Sequence, residues 1–353
     1  MNAPFRLPPP VVREAGRDDR GAYVRFLANQ GDATAFHEPA WIEAVSAATG
    51  HRSRLLLAEQ AGVIVAALPL HAVSSVLFGK ALVSTGFAVG GGILGNADAA
   101  PALLAAAQGL AARTRSPGIE LRGGVMPQGA GWHVKQDSHA GFVMALAADD
   151  EAQFLAVPRK QRAELRKGLA HHFSIRVGRG PRDRAWHYRV YGESVRNLGT
   201  PVFPRRLFRE VLERFGDDAD ILTVLHDGEP LASVLSLYHR GAVMPYWGGG
   251  VQAARALRAN DVMYYALMNH ARERGMERFD FGRSKVDSGA YHFKRNWGFA
   301  PQPLSYAHWT ADGAPPRDVN PLSPRYQAKI RLWQKLPLPV ANLVGPLIAR
   351  GLA

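Results

Sequence analysis

Apolar positions along the chain fall into two successive blocks of similar order. In the first block, 18–30 reads as a short helix after a Pro-rich leader. Over 39–49, Trp41, Ile42, Val45 and Ala48 recur at the spacing of a helix buried along one face. Strand-like runs follow at 53–59, 63–70 and 79–87, then an Ala- and Leu-rich helix at 100–114 and a strand at 118–122. Strands, a helix and a closing strand predict a compact α+β lobe that ends near residue 150.

The second block repeats that order. A basic helix is expected over 154–171, with Arg159, Arg162 and Arg166 on one face and Leu155, Leu165 and Leu169 free to pack elsewhere. Helices at 184–198 and 205–215 come next, then strands at 219–226 and 230–240 around the turn Asp227-Gly228, and a third at 242–247. Residues 260–273 form a strong helix, with Asn260 or Asp261 as cap and Gly275 where a left-handed terminator belongs. A strand at 278–281, a short helix at 288–296 ending at Gly298 and a last strand at 303–309 complete the block. The expected organisation is a lobe over 1–150, a second over 151–310, and a Pro-rich basic tail over 311–353. The shared element order without visible sequence identity makes a weak internal repeat.

Composition narrows the function. At 353 residues two domains are the default, and 47% hydrophobic content supports a packed core in each. The absence of cysteine excludes disulfides, thiolate metal sites and cysteine nucleophiles, and fits a reducing cytoplasm. The N-terminus lacks the apolar core of a secretory signal, and the apolar stretches are broken well short of the roughly 20 residues that span a bilayer. A cytoplasmic protein is expected, with peripheral contact at the inner face of the membrane as an option. Of the net charge of +13, residues 158–184 carry +7 and 317–353 carry +5. Clustered positive charge points to an anionic partner, with a solvated face as its plain alternative.

The candidate chemistry concentrates in 245–309. A strand ending Tyr246-Trp247-Gly248-Gly249-Gly250 passes through a loop into a helix start, where free backbone N–H groups favour anions. Beyond it lie Asp280-Phe281-Gly282-Arg283-Ser284 and then Gly289-Ala290-Tyr291-His292-Phe293-Lys294-Arg295-Asn296-Trp297-Gly298. The pattern D-x-G-R-S, G-x-x-x-F-K-x-x-W-G and a following L-x-Y resembles the FemAB-related branch of the GNAT-like transferases. The similarity is strongest to the version associated with PEP-CTERM/exosortase systems and exopolysaccharide loci.

That resemblance implies two GNAT-like lobes, each a mixed sheet flanked by helices, and no metal. It implies transfer of an acyl or aminoacyl group onto an amine or hydroxyl of a cell-envelope or exopolysaccharide precursor, small or lipid-linked. Acyl-CoA or aminoacyl-tRNA would serve as co-substrate, so tRNA is a possible partner. In CoA-dependent GNAT enzymes the phosphate loop is Gly-rich; here the corresponding Arg255-Ala256-Leu257-Arg258-Ala259-Asn260 has no glycine. By similarity Lys294 stabilises the developing oxyanion, Asp280 acts as base and Tyr246 orients the nucleophile or leaving group. Phe293 packs the acyl or adenosine portion, with Trp247 and Trp297 as further contacts. Arg283, Arg159 and Arg162 are suited to phosphate or carboxylate.

Each residue has a plainer reading. Asp280 before Gly282 can tie down a turn; Phe293 and Trp297, four apart, can be core; Tyr246 and Trp247 can fill a sheet face; Lys294 can run an apolar stem to water. The tail, with Tyr326, Ile330 and Trp333 alternating with Lys329, Arg331 and Lys335, suits either an anionic membrane surface (321–353) or packing on the second lobe. The Gly-rich run 90–95 matches no nucleotide-binding motif and is expected to line a cleft. Two other function classes stay open: a non-catalytic GNAT-like scaffold, and a basic RNA-binding protein, in a glycan-assembly or protein-sorting system.

Overall fold

The computed structural model describes residues 8–75, 77–129, 131–313 and 324–352, without side-chain placement at 324–326. The part of the expected basic tail at 314–323, and the side chains of Arg325 and Tyr326, thus lie outside the described residues. The chain divides into two compact units. Unit 1 holds Met1–Gln136, Ser305–Asp318 and Arg350–Ala353; unit 2 holds Asp137–Leu304 and Val319–Ala349.

Unit 1 begins with β1 (Val11–Glu14), α1 (Arg20–Ala28) and α2 (Pro39–Thr49). Pro39 starts α2 and Gly50, in the left-handed region, ends it, while Trp41, Ala44 and Val45 are fully buried. Strands β2 (Arg52–Gln60), β3 (Val63–Ser75), β4 (Gly79–Ser84) and the short β5 (Leu94–Gly95) follow. Helix α3 (Ala100–Thr114) then crosses to β6 (Gly118–Arg122), followed by β7 (Trp132–Lys135). Leu103, Ala107, Leu110 and Ala111 of α3 pack on Leu56, Leu68, Leu82 and Ile119 of the sheet.

Unit 2 opens with β8 (His139–Ala145), α4 (Asp150–Ala156) and α5 (Arg159–Leu169). The single basic helix expected over 154–171 is therefore two helices. Pro158 disfavours helical geometry at Val157, which is extended, and Asp149 caps α4 by accepting from the Ala152 N–H. Next come β9 (Ser174–Gly178), α6 (Pro181–Leu198) and α7 (Arg205–Phe215). The sheet continues with β10 (Ala219–His226), β11 (Glu229–His239) and β12 (Ala242–Gly250). Then α8 (Gln252–Ala256) and α9 (Ala259–Glu273) lead to β13 (Arg278–Lys285), α10 (Gly289–Asn296) and β14 (Pro301–Pro303). β11 is buried along nearly its whole length because both faces are covered. Val234 belongs to the cluster with Met263 and Leu267 of α9, whereas its neighbour Ser233 bonds His187 of α6.

The strand after β14 does not stay with unit 2. β15 (Tyr306–Thr310) pairs β6 and β7, so it completes the sheet of unit 1. Conversely β8, which directly follows β7, pairs β13 and β14 and completes the sheet of unit 2. The sheet orders are β1-β2-β3-β4-β6-β15-β7 and, read from the corresponding edge, β9-β10-β11-β12-β13-β8-β14. Each has one parallel pair at the same place, β4 with β6 and β12 with β13, joined through α3 and α9. The internal repeat is thus real at the level of topology. Boundaries at 150 and 310 miss it because β8 and β15 are exchanged relative to chain order. Tyr306 and Ala307 explain the destination of β15: both are buried, and Ala307 sits in the core under α3.

The tail forms α11 (Pro324–Gln334) and α12 (Leu338–Ala349), both against α6. Pro339 falls in the first turn of α12, where a missing N–H costs nothing. Among the described residues no helix is long and apolar enough to cross a membrane.

Candidate active site

Strands β12 and β13 pair only at Ala242 with Arg278 and at Val243 with Phe279. Beyond these positions the pairing ends, and β13 continues alongside β8 instead. A parallel pair that separates at its carboxyl end leaves a notch of the kind where open α/β sheets receive ligands. Rings line it: Tyr264 of α9 meets Phe281 at 4.6 Å and Phe293 at 5.7 Å between centroids. Next to Phe293 a cavity of about 260 Å³ opens at the start of α9, walled by Gln161, Glu164, Arg255, Arg258, Asn260 and Asp261.

Unit 1 has the same parallel pair but fills the space itself. The loop after β4 folds back: Arg122 donates to the Ala88 carbonyl at 3.0 Å, Gly92 N–H donates to Arg122 O, and Val125 N–H to Ile93 O. A Cβ on Gly92 would stand 1.9 Å from the Gly123 carbonyl oxygen, so only glycine permits this approach. The Gly-rich run at 90–95 is therefore a plug within unit 1. Backbone hydrogen bonds, which a sequence pattern does not specify, decide its path.

Two bulges shape the walls of the notch in unit 2. On β12, Pro245 pairs Ser236 and Trp247 pairs Leu235, so Tyr246 is the extra residue. Bulges re-aim the side chain they carry, and Pro245 has no N–H to lose. Tyr246 is half-buried, with its ring edge-on to Trp247 at 4.9 Å. Trp247 itself is buried against Phe208 at 4.9 Å and Phe203 at 6.0 Å, so it packs α7 on β12.

On β13, Asp280 pairs Val143 and Arg283 pairs Gly141, so Phe281 and Gly282 together oppose Phe142. Gly282 takes a φ of +65°, and its N–H donates to Asp280 Oδ1 at 2.9 Å. Carbonyls released by this bulge need another donor, and Lys294 of α10 supplies it. Its Nζ donates to Gly282 O at 3.2 Å and Arg283 O at 2.9 Å, over the faces of Phe142 and Phe281 at 5.3 and 5.4 Å. Burial pulls the Lys294 ammonium down to about 8, opposed by Asp280 and reinforced by Arg283. Burial pushes the Asp280 carboxyl up, against the Gly282 N–H and the charge of Lys294. Asp280 does tie down a turn, and that turn faces a buried cation. Gly282→Ala is expected to cost about 1 kcal/mol, from the left-handed backbone alone because the space beside it is open. Urea unfolding checks this, and an unchanged midpoint would mean the bulge does not need glycine.

The start of α9 is also unusual. Its cap is Arg258, not Asn260 or Asp261, and Arg258 has a φ of +58°. The guanidinium holds that conformation by donating to Glu164 Oε2 at 2.5 Å and to the Arg255 carbonyl. Glu164 also accepts from Lys167, and the Lys167 and Arg258 hydrogen bonds lower its pKa. Asp261 in the first turn accepts from Gln161 at 2.6 Å; burial raises its pKa, while Gln161, Arg258 and Trp297 restrain the rise. Gln161 lies on the buried stripe of α5 with Leu165 and Gly168, where it meets Asp261 of α9. Glu164, Asp261 and Tyr264 gave no comparable signal as site residues, because their roles depend on α5 packing on α9.

Of the residues singled out from sequence, Asp280, Arg283, Phe293 and Lys294 come together around the β13 bulge. Trp297 is fully buried core behind Phe293, at 6.3 Å. Arg159 is exposed at the start of α5, and Arg162 donates to the Leu155 carbonyl at 3.1 Å. Arg166 lies over Phe154, and Leu165 alone of the three leucines is buried; Leu155 and Leu169 are exposed. The positive field expected from 158–184 is partly cancelled by partners distant in sequence: Arg179 pairs Asp217 and Arg184 pairs Glu213, while Arg176 pairs Asp183.

Residues 156–295 match the acetyltransferase (GNAT) domain family. That span contains β12, α9, β13 and most of α10. The structure of FemX is similar at a TM-score of 0.62 and 13% identity, covering 92% of this chain and 100% of that one. A tandem GNAT protein from the clavulanic acid biosynthesis pathway gives 0.55 at 14% identity, covering 87% and 100%. Both units are GNAT-like. The GNAT-like architecture is shared too by the C-terminal domain of a putative lysylphosphatidylglycerol synthetase from Agrobacterium fabrum, with TM-score 0.55, 13% identity, and 84% and 93% coverage. No curated protein matches.

Proposed function

We propose that this protein is an acyl or aminoacyl transferase whose reaction centre is the notch of unit 2, acting on an amine or hydroxyl of a cell-envelope or exopolysaccharide precursor. The observation that carries the reading is the separated β12–β13 pair, with a buried ammonium held at the β13 bulge. The GNAT domain match spans this notch, whereas the equivalent space of unit 1 is closed by its own loop.

In this reading the acceptor amine or hydroxyl attacks the donor carbonyl. The new C–N or C–O bond forms as the donor's ester or thioester bond breaks, and the leaving oxygen or sulfur takes the proton. Two of the three N–H donors of Lys294 hold Gly282 and Arg283, which leaves one for the developing oxyanion. Asp280 takes the proton from the attacking group and passes it to the leaving atom, and Tyr246, carried on its bulge, orients the attacking group. Arg283 binds the anionic part of the substrate, Phe293 packs the acyl group, and Arg159 with Arg162 meets donor phosphate. Trp247 and Trp297 act by fixing β12 and α10.

Donor choice follows from charge. Arg258 is held by Glu164 and the Arg255 carbonyl, and Asp261 adds a carboxyl group, which leaves Arg255 to meet a pyrophosphate on a loop without glycine. An aminoacyl ester, which brings no pyrophosphate to that point, suits the arrangement better. The family match favours acyl-CoA as the second reading. Thermal shift against acetyl-CoA, longer acyl-CoAs and aminoacyl-tRNA mimics separates them, since saturation at about 100 times the dissociation constant adds roughly 2.7 kcal/mol. A response to the tRNA mimics alone is expected, and a response to acyl-CoA alone reverses the donor assignment. Silence towards all donors would favour the scaffold reading.

Lys294→Ala removes two carbonyl partners as well as a charge, so loss of activity alone does not assign a role. The pH profile does. Activity that needs the ammonium is expected to fall as pH rises through about 8, and in Lys294→Arg this limb should disappear. A profile flat across that range would overturn the clamp role.

A further inference from the structure

Helix α12 is packed with its small residues inward and its large apolar residues outward. Ala341, Gly345 and Ala349 are buried at successive turns, Gly345 close against Val202, and Asn342 close against Gly192 of α6. Val340, Leu343 and Leu347, at i, i+3 and i+7, share the opposite face and are 43, 75 and 76% exposed. Leu332 of α11 and Leu198 at the end of α6 add two more exposed leucines, and Ile330 packs beside the latter at Gly199. A helix docked only for stability turns its leucines inward. An apolar face of this extent marks an interaction surface.

Charge identifies the occupant. Residues 319–353 contain Arg325, Lys329, Arg331, Lys335 and Arg350 and no acidic residue. Arg331 on α11 and Lys335 just after it are exposed. A second copy of the chain would bring these cations against their own kind, which disfavours a symmetric pair. An anionic bilayer answers both features, with acyl chains for the leucines and phosphate for the cations. The 12 residues of α12 extend about 18 Å, short of the roughly 30 Å hydrocarbon core, so the helix lies along the surface.

We propose that the α11–α12 segment seats this protein on an anionic lipid surface, with Leu332, Val340, Leu343 and Leu347 at the acyl boundary and Arg331 and Lys335 on lipid phosphates. The proposal does not depend on the transfer chemistry, and its outward-facing residues lie outside the notch.

The test is co-sedimentation of the full chain with phosphatidylcholine vesicles, with and without about a third phosphatidylglycerol. The wild type is expected to pellet with the anionic vesicles and to be released by salt. The double variant Leu343→Asp/Leu347→Asp should partition about tenfold less, with an unchanged melting temperature because both side chains face out. Arg331→Glu/Lys335→Glu should lose the preference for phosphatidylglycerol. Wild type remaining in the supernatant overturns the proposal, as does equal pelleting of the leucine variant. A wild-type dimer that Leu343→Asp/Leu347→Asp converts to monomer assigns the face to self-association and overturns it too.

Discussion

Cutting the chain between residues 150 and 151 is expected to give two pieces that do not fold alone. The first keeps β8, which it does not use, and lacks β15, which belongs between β6 and β7. The second keeps β15 and lacks β8, which belongs between β13 and β14. Each piece therefore exposes two strand edges in the interior of its sheet and loses core: Tyr306 and Ala307 from unit 1, Ala140 and Phe142 from unit 2. Losing Phe142 alone costs about 3–5 kcal/mol by analogy with Phe-to-Ala changes, a large share of a domain's total of about 5–15. In the intact chain, Ala307→Asp should unfold unit 1 although it lies after all of unit 2, because it buries an unpaired charge. Proton spectra of the pieces and of Ala307→Asp check this. A dispersed spectrum for the 1–150 piece alone would show that the exchanged strand is dispensable.

A second large effect is expected in mild acid. His71 is fully buried, and its Nδ1 accepts from the Gly86 N–H at 3.1 Å while Nε2 donates to the Ile42 carbonyl at 3.0 Å. Protonating Nδ1 would set two donors against each other. Burial pulls this imidazole down to about 4, with the Ile42 bond opposing and nearby His51 reinforcing. His187 is fully buried between Tyr191 and Phe208, with only the Ser233 hydroxyl at 3.1 Å on Nδ1, and burial takes it to about 3. Above the ordinary value of 6.5 neither folded nor unfolded chain binds these protons, so neither histidine makes stability depend on pH. Below it the unfolded chain binds them first. Each of these two histidines then costs its unit about 1.4 kcal/mol per pH unit until it titrates in the folded chain. At two units below 6.5 this is about 2.7 kcal/mol per unit. Urea unfolding between pH 7 and 4.5 measures the slope. His187→Gln should remove about 1.4 kcal/mol per pH unit from unit 2 whatever it costs at pH 7. Parallel slopes for variant and wild type would reject the assignment.

The sequence located the candidate site better than it explained it. Asp280, Arg283, Phe293 and Lys294 are legible because they lie within 15 residues in one strand–helix segment, where local spacing governs what meets. Gln161, Glu164 and Tyr264 were not, since they reach the cavity through the packing of α5 on α9, elements about 100 residues apart, as the Gln161–Asp261 bond illustrates. For Trp247 and Trp297 the sequence left ligand contact and core packing both open; the sheet directs one to α7 and the core encloses the other.

By itself the sequence determined the α+β class, most helices and central strands, and the segment that carries the candidate site, because propensity, capping and hydrophobic period are local. It also showed that the apolar content of the tail exceeds what a solvated segment carries. Tertiary structure decided the strand exchange between the units, the plug in one notch and the open space in the other, and the pairing of arginines with distant carboxylates. It decided as well that the leucines of α12 face outward. These depend on which surfaces meet across long stretches of chain, and pairing at such distance is set by burial and backbone hydrogen bonding together rather than by the order of residues in any one segment.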